Sequence, residues 1–442
     1  MQETVYALAI DIGASSGRHI LGWVENGVIK TQEVYRFFNG IDKGENGLTW
    51  NTERLFSEII TGLKLVEKTG KIPSTVGIDT WAVDYALLDE KDNLLGEVFA
   101  YRSDRTEKVI QKVHRLIPFE TLYERTGIQF QPFNTVYQLY ADKESGKLDR
   151  AKTFLMLPDY LNFLLTGVKR QEYTNATSTG MVNAVTGEWD SLITSALGYP
   201  QGLFKKPSKP GSTVGSFKKE IADAVGFNAN VTLPPTHDTA SAVECLDIPE
   251  GVPYISSGTW SLLGVKVNSA LTDEKSRLAN WSNEGGVGYF RYQKNVMGLW
   301  PVQQLRLEIC PELTFGEIAK QTTFSEFDGV VDLDDKRFYS PASMKAQFDL
   351  ATKEQGKTCS TVADYFKCAY VSLAAAYKRA IDELSANLNK RFDRIYIVGG
   401  GAKNDYLNKL TEDACSVKVI ALPIEATALG NLKTQLGVCK TY

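Results

Sequence analysis

Val5-Tyr6-Ala7-Leu8-Ala9-Ile10, then Asp11-Ile12-Gly13-Ala14-Ser15-Ser16-Gly17-Arg18, then His19-Ile20-Leu21-Gly22-Trp23-Val24: two apolar, β-prone runs flank a turn of small and polar residues. The pattern returns at Tyr254-Ile255-Ser256-Ser257-Gly258-Thr259-Trp260-Ser261-Leu262-Leu263-Gly264-Val265, again a strand, a small-residue turn and a strand. Two such hairpins so far apart imply two similar domains, an internal duplication too diverged to show as a short-period repeat. The expectation is two lobes around a cleft, divided as 1–243 and 244–442.

Outward from the first hairpin, Asn26-Gly27 is a tight-turn signal leading to a third strand over 28–38. Leu55, Ile59, Leu63 and Val66 recur at helical spacing, so a helix over 52–68 follows. Short strands are expected over 76–79 and 85–89, which gives a mixed sheet covered by helices. The stretch 104–230 reads as helices and loops, with a helix over 159–166 closed by Gly167 and a long loop over the Pro- and Gly-rich 207–215. Beyond the second hairpin come one long helix or a pair over 361–388, a strand over 394–398 and a strand over 416–422. A final helix covers 426–436.

With 442 residues the chain is long enough for two or three domains. Its 49 Lys+Arg against 53 Asp+Glu leave a net charge of −4, which removes the electrostatic case for a nucleic-acid partner. No apolar run approaches the roughly 18 residues of a membrane span. Met1-Gln2-Glu3-Thr4 lacks the cationic stretch of a secretory leader. The six cysteines, Cys245, Cys310, Cys359, Cys368, Cys415 and Cys439, are scattered with no CxxC pair and read as reduced thiols in the cytoplasm, although Cys359 and Cys368 could meet in the fold. Only His19, His114 and His237 are present, which excludes a His-rich metal site.

Several groups carry candidate chemistry, each with a plainer reading beside it. In Asp11 to Arg18, glycines allow close approach of an anion, successive N–H groups can cradle it, and Arg18 offers a charge-assisted fork. Asp11 cannot bind a phosphate but can hold a hydrated Mg²⁺ beside one. The plainer reading is an ordinary hairpin turn, and Ser256 to Thr259 has the same two readings. Gly399-Gly400-Gly401-Ala402-Lys403-Asn404, between a strand and a helix, lets a flat ligand lie on bare backbone, or is a flexible turn. It is neither a Walker loop nor a GxGxxG fingerprint. Asp238, in His237-Asp238-Thr239, opens a helix and is either an N-cap or a group poised between the two halves. Asp79, Trp81 and Asp84 read as loop residues between strands, with an aromatic able to lie on a sugar ring. Asn295 to Trp300 with Gln303 reads as a helix start packing its apolar residues, or as part of a site.

Eleven segments, in order, point further: DIGASSGR from 11, GIDTWAVDYALLD from 77, YRSDRT from 101, GIQFQPFNT from 127, MLPDY from 156, NATSTGMVN from 175, HDTASAV from 237, SSGTWSL from 256, NEGG from 283, NVMGLW from 295 and VGGGAKN from 398. Over about residues 5–436 the chain resembles the FGGY carbohydrate kinases of the actin/Hsp70-like ATPase superfamily. The resemblance implies two ribonuclease H-like α/β domains, each a mixed sheet flanked by helices, around a central cleft. It implies ATP-dependent phosphorylation of a small 6-deoxy ketose with Mg²⁺, in a monomer or homodimer acting on small molecules away from membrane and nucleic acid.

The resemblance also implies roles. Ala14, Ser15, Ser16, Gly17 and Arg18 would line the ATP phosphates, with Asp11 orienting Mg²⁺ through water, and Thr259 would contact the γ-phosphate. Gln303, Gly400 and Gly401 would meet the nucleotide. Trp81, Ala82, Asp84, His237, Asp238, Thr239 and Asn295 would face the sugar, with Asp238 as the catalytic base. Two departures from the pattern stand out. Ala82 occupies a position where the family usually has Gly, so its methyl group tightens the pocket or demands a positive φ. The chain ends at Tyr442, where the family usually continues for a further helix, which would leave the C-terminal lobe short. The alternatives are a kinase of the same family for another ketose, and a non-catalytic relative that binds nucleotide or sugar.

Overall fold

The computed structural model describes residues 4–422 and 425–438. The leading Met1-Gln2-Glu3, Cys439 and the chain end at Tyr442 lie outside the described residues. The opening segment is a hairpin: β1, Tyr6–Ile12, pairs antiparallel with β2, Ser16–Glu25, and sets Asp11 opposite Arg18. Asn26 and Gly27 both take positive φ, 53° and 77°, the turn that matches strand twist, and lead into β3, Val28–Phe38. On its other side β1 runs parallel to β4, Pro73–Thr80, with Asp11 beside Asp79. With β5, Thr213–Ser216, and β6, Asn230–Thr232, the sheet order is β5-β6-β4-β1-β2-β3. The helix Thr52–Glu67 buries Leu55, Ile59, Leu63 and Val66 in the core formed with Leu8, Leu21, Val76 and Ile78. Each such side chain contributes about 1.5–3 kcal/mol by leaving water.

One expected strand joins a different sheet. Tyr85–Leu88 pairs antiparallel with Thr153–Met156 in a two-stranded sheet of its own. The cause is local: Asp84 N–H donates to Ala82 C=O at 3.0 Å around Val83, whose φ is +68°, and this three-residue turn redirects the chain out of β4. Asp79, the end of the strand expected over 76–79 and also read as a loop residue between strands, is the penultimate residue of β4 and wholly buried.

The second hairpin is β7, Tyr254–Ser257, with β8, Trp260–Val267. β9, Phe290–Met297, lies beside β8, while β10, Arg394–Val398, runs parallel to β7 and β11, Lys418–Ala421, parallel to β10. The order β11-β10-β7-β8-β9 repeats β6-β4-β1-β2-β3, so the duplication read from two turns is present at the level of topology. The expected strand over 416–422 is shorter because Ser416 takes φ +54° to close the preceding helix. The region 361–388 is a single helix, Val362–Leu388, opened by the capping box of Thr361 with Asp364 and closed by Asn389 at φ +48°.

Two compact units result. One takes the chain up to Asp247, Val267–Tyr292 and the chain from Ala426; the other takes Ile248–Lys266 and Gln293–Glu425. The last helix, Ala426–Leu436, thus packs in the first unit, against the helix Asp238–Cys245. Gly430 permits that crossing, since a Cβ there would stand 1.8 Å from the Ser241 carbonyl oxygen. Cys310, Cys359, Cys368 and Cys415 are buried free thiols. Burial pushes Cys368 up to about 12, and the nearby Cys359 adds to that shift. Among the described residues no helix is long and apolar enough to cross a membrane.

Candidate active site

Three carboxylates gather at the C-terminal ends of neighbouring extended segments in the first unit. Asp11 and Asp79 are register partners on β1 and β4. Thr80 N–H donates to Thr236 C=O at 2.9 Å, which brings the segment carrying Asp238 alongside. Burial pushes both Asp11 and Asp79 above the usual carboxylate range; the Asp11 charge raises Asp79 further, while the hydrogen bond between them lowers Asp11. Asp79 is displaced further, because Arg18 pulls Asp11 back through Nε and Nη2 contacts of 3.1 and 3.0 Å. Asn431, from the last helix, donates to Asp79 at 2.6 Å. Among the described residues no three metal-ligating side chains form a cage.

The turn between β1 and β2 is held by its own backbone. Gly13 N–H donates to Ser16 C=O at 2.9 Å, and Asn39 donates to the Gly13 and Ser15 carbonyls at 2.9 and 3.0 Å. Ser15 is exposed, while Ala14, Ser16 and Arg18 are half-buried. Gly17 is required by packing, since a Cβ there would meet the Phe37 ring at 2.2 Å.

His237 is buried and Asp238 half-buried at the start of the helix Asp238–Cys245. The N-cap position belongs to His237, so Asp238 is not the N-cap residue. Its Oδ1 accepts from Thr239 N–H at 2.6 Å and Thr239 Oγ1 at 3.1 Å and lies 3.4 Å from His237 Nε2; Oδ2 has no hydrogen-bond partner among the described residues. A half-exposed carboxylate with one oxygen engaged and one presented is arranged to accept a proton.

Trp81 stacks near Trp50, ring centroids 4.0 Å apart, and both indoles donate to Asp84 Oδ2, at 2.9 and 2.6 Å. Tyr101 N–H and Gln138 complete the set around Asp84, which is fully buried and pushed up to about 6 by that burial. Asp84 therefore holds the two indoles in place. Ala82 is half-buried in the three-residue turn, and the positive φ falls on Val83, one residue later than its methyl group suggested. Thr135 and Gln138 both donate to the Val83 carbonyl and hold that strained residue in place.

In the second unit the turn at Gly258 is covered by the start of the helix Trp300–Ile309: Leu299 N–H donates to Gly258 C=O at 2.8 Å and Thr259 Oγ1 to Gln303 at 3.3 Å. The glycine triplet ends β10 beside this turn. Gly399 (φ +82°) and Gly401 are needed for packing, since a Cβ would stand 2.6 Å from the Ser257 carbonyl oxygen and 2.0 Å from its Oγ, respectively. Gly400 instead has open space and lines a cavity of about 730 Å³ with Leu299, Val302, Phe315, Tyr370 and Asn404. A mostly apolar cavity with a few polar groups, of this size, suits a nucleoside. Asn295 lies near the end of β9, half-buried, in the same unit.

A model of the FGGY family of carbohydrate kinases, N-terminal domain, matches residues 6–245, and the C-terminal domain of that family matches 253–436. The chain belongs to this family. A curated rhamnulokinase from Oceanobacillus iheyensis is 43% identical over 433 residues, 97% of this chain and 92% of that protein. One from Halalkalibacterium halodurans is 43% identical over 97% of this chain and 93% of its own length. Bacillus subtilis has a rhamnulokinase 38% identical over 98% and 90%. Among solved structures, a xylulose kinase from Lactobacillus acidophilus superposes with a TM-score of 0.80 at 15% identity, covering 97% of this chain and 88% of that one. A glycerol kinase from Plasmodium falciparum with ADP gives 0.78 at 14%, covering 98% and 89%. The family's fold is therefore this chain's fold.

Sequence reasoning passed over several residues of these two regions. Phe315 and Tyr370 lie on helices whose apolar spacing is indistinguishable from core. Asn431, Trp50 and Asn39 reach the site only through tertiary packing. Glu284 stood in a quoted segment, NEGG, but its role needed the partner it meets.

Proposed function

We propose that this chain transfers the γ-phosphoryl group of ATP to the C1 hydroxyl of L-rhamnulose, forming L-rhamnulose 1-phosphate and ADP. The observation that carries the reaction is Asp238, a half-exposed carboxylate whose Oδ2 is unengaged among the described residues, beside the Asp11–Asp79 pair; the sugar follows from the curated relatives. In this reading Asp238 Oδ2 takes the hydroxyl proton, the sugar oxygen bonds to the γ-phosphorus, and the bond to the bridging oxygen of ADP breaks. Such transfer needs little covalent help; positioning and charge stabilisation supply the rate.

Arg18 and the backbone N–H groups of the turn after β1 meet the phosphates, as do the turn at Gly258 and Thr259, and the nucleoside takes the cavity lined by Gly400 and Gln303. Gly401 contributes by letting β10 pack on Ser257. Asp11, with Oδ2 engaged by Arg18, offers a hard oxygen without a cage around it, which fits Mg²⁺ that arrives with phosphate and keeps its waters. That ion, bound with ATP, would supply neutralisation of phosphate charge. Trp81, Ala82, His237, Thr239 and Asn295 face the sugar, the two family domains divide the sequence as 1–243 and 244–442 although segments after 244 pack in the first compact unit, and the protein works in the cytoplasm. ADP release measured over a panel of ketoses tests the reading: L-rhamnulose is expected to give the highest kcat/KM. Preference for L-fuculose would move the substrate, and no turnover with any ketose would defeat the reaction.

A further inference from the structure

Arg291 is fully buried, and it makes an unusual set of contacts for a guanidinium. Its Nε donates to the Gly285 carbonyl at 3.1 Å. Its Nη2 lies 3.0 Å from Glu284 Oε2 and 3.1 Å from His237 Nδ1. Glu284 Oε2 is itself 3.1 Å from the same Nδ1. The neutral imidazole therefore has two choices. With a proton on Nδ1 it donates to Glu284, and the lone pair of Nε2 then faces the carboxylate oxygen Oδ1 of Asp238, an acceptor against an acceptor. With the proton on Nε2, Nδ1 accepts from Arg291, and Nε2–H points at Oδ1 across 3.4 Å. The two hydrogens of Nη2 are then both used, one on Glu284 and one on His237. Nδ1 and Glu284 Oε2 stand acceptor to acceptor but share that donor, so this form leaves one mismatch, whereas a proton on Nδ1 leaves two, against Nη2–H and between Nε2 and Oδ1.

We propose that Arg291, held by Glu284, is a positioning residue: it donates to His237 Nδ1, fixes the Nε2–H tautomer, and so anchors Oδ1 of Asp238 while Oδ2 stays free for the sugar hydroxyl. This rests on the kinase reading for what Oδ2 meets, but not for the tautomer. The buried ion pair meets the ring at Nδ1, and Nη1 has no acceptor among the described residues, so the guanidinium acts through Nε and Nη2. The arrangement has the logic of a second group that orients a base through an intermediate ring.

The chain has three histidines, which makes the ring nitrogens individually readable. In the ¹⁵N-histidine-labelled protein, with His237 assigned by its loss in His237→Gln, Nε2 is expected to carry the proton and Nδ1 to accept. A proton on Nδ1 overturns the proposal, whatever the variants do. Arg291→Lys keeps the charge and removes the fork. In the folded variant the His237 tautomer is expected to become mixed, kcat to fall about ten- to hundred-fold as the base loses alignment, and the ATP KM to stay within about twofold. An unchanged tautomer and kcat in that variant also overturn it. Where Arg291→Lys does not fold, Glu284→Gln, which loosens Arg291 without removing it, is expected to lower kcat with ATP KM unchanged, and wild-type kcat there counts against the proposal. Wild-type protein that phosphorylates no ketose yet shows Nε2–H would sink the function while leaving the tautomer standing.

Discussion

The two sheets share a strand order but not a chemistry. At the end of β1 and its parallel neighbour the register partners are Asp11 and Asp79; at the same place in the second unit they are Ser256 and Val398. A glycine N–H closes each turn, Gly13 onto the Ser16 carbonyl three residues on at 2.9 Å and Gly258 onto the Trp260 carbonyl two residues on at 3.0 Å. The first unit added buried carboxylates, a guanidinium and the Asp238 helix around that turn. The second added glycines packed onto Ser257 and a largely apolar cavity. Charge that must move or be neutralised is concentrated in one copy, and neutral close approach in the other. A duplicated scaffold allows this division because the turn supplies backbone donors in both copies, whatever side chains surround it.

The contrast breaks most visibly at Asp238. Asp238→Asn is expected to lower kcat by about 10²–10⁴ while calorimetry finds sugar and ATP still bound, because a positioned base, not a binding contact, has been removed. Near wild-type turnover would return the base to some other group. No change confined to the glycine side should reach that size.

Next in magnitude is Asp84→Asn. The amide places an N–H₂ where Gln138 and two indoles already donate, leaving a buried donor unmatched at about 1–3 kcal/mol. The sugar KM should rise with the ATP KM unchanged. Asp84 has a folded value of about 6, above the unfolded 3.8, so the fold binds the extra proton and stability is lost as pH climbs through that interval. Urea titrations between pH 4 and 6 should show a flatter slope in the variant.

On the other side of the comparison, Gly401→Ala should destabilise by about 1–3 kcal/mol through overpacking against Ser257, and Ser257→Gly in the same chain should restore most of the loss. Gly400→Ala, with open space around it, should leave the melting temperature alone and raise only the ATP KM. The smallest effect is expected at Ala82→Gly. The strained φ belongs to Val83, so removing the methyl should shift the ratio of kcat/KM for L-rhamnulose and L-fuculose by about tenfold or less. A flat ratio for both Ala82→Gly and Ala82→Val would separate this position from the sugar.

What was legible in the chain was local. Alternating apolar residues and Asn26-Gly27 announced the first three strands, and the last helix was readable at its observed bounds because both its periodicity and its position after a short break are sequence properties. The family was legible too, because eleven short segments in order need no coordinates. Partners were not legible. Tyr85–Leu88 reads as a strand in any setting, and nothing in its four residues says that Thr153–Met156 will be its neighbour. The glycine triplet read as a surface for a ligand, whereas two of its three members answer to Ser257.

The sequence by itself determined the periodicities, the two hairpin turns and the residue types from which a phosphoryl-transfer site could be made, since each depends on neighbours within a few positions. Only the tertiary structure decided that Asn431 donates to Asp79 across 352 positions, that Glu284 and Arg291 meet His237, and that Gly401 faces Ser257. Those contacts follow from how sheets and helices exclude water and fill volume together, and that is a property of pairs of surfaces that no single stretch of chain contains.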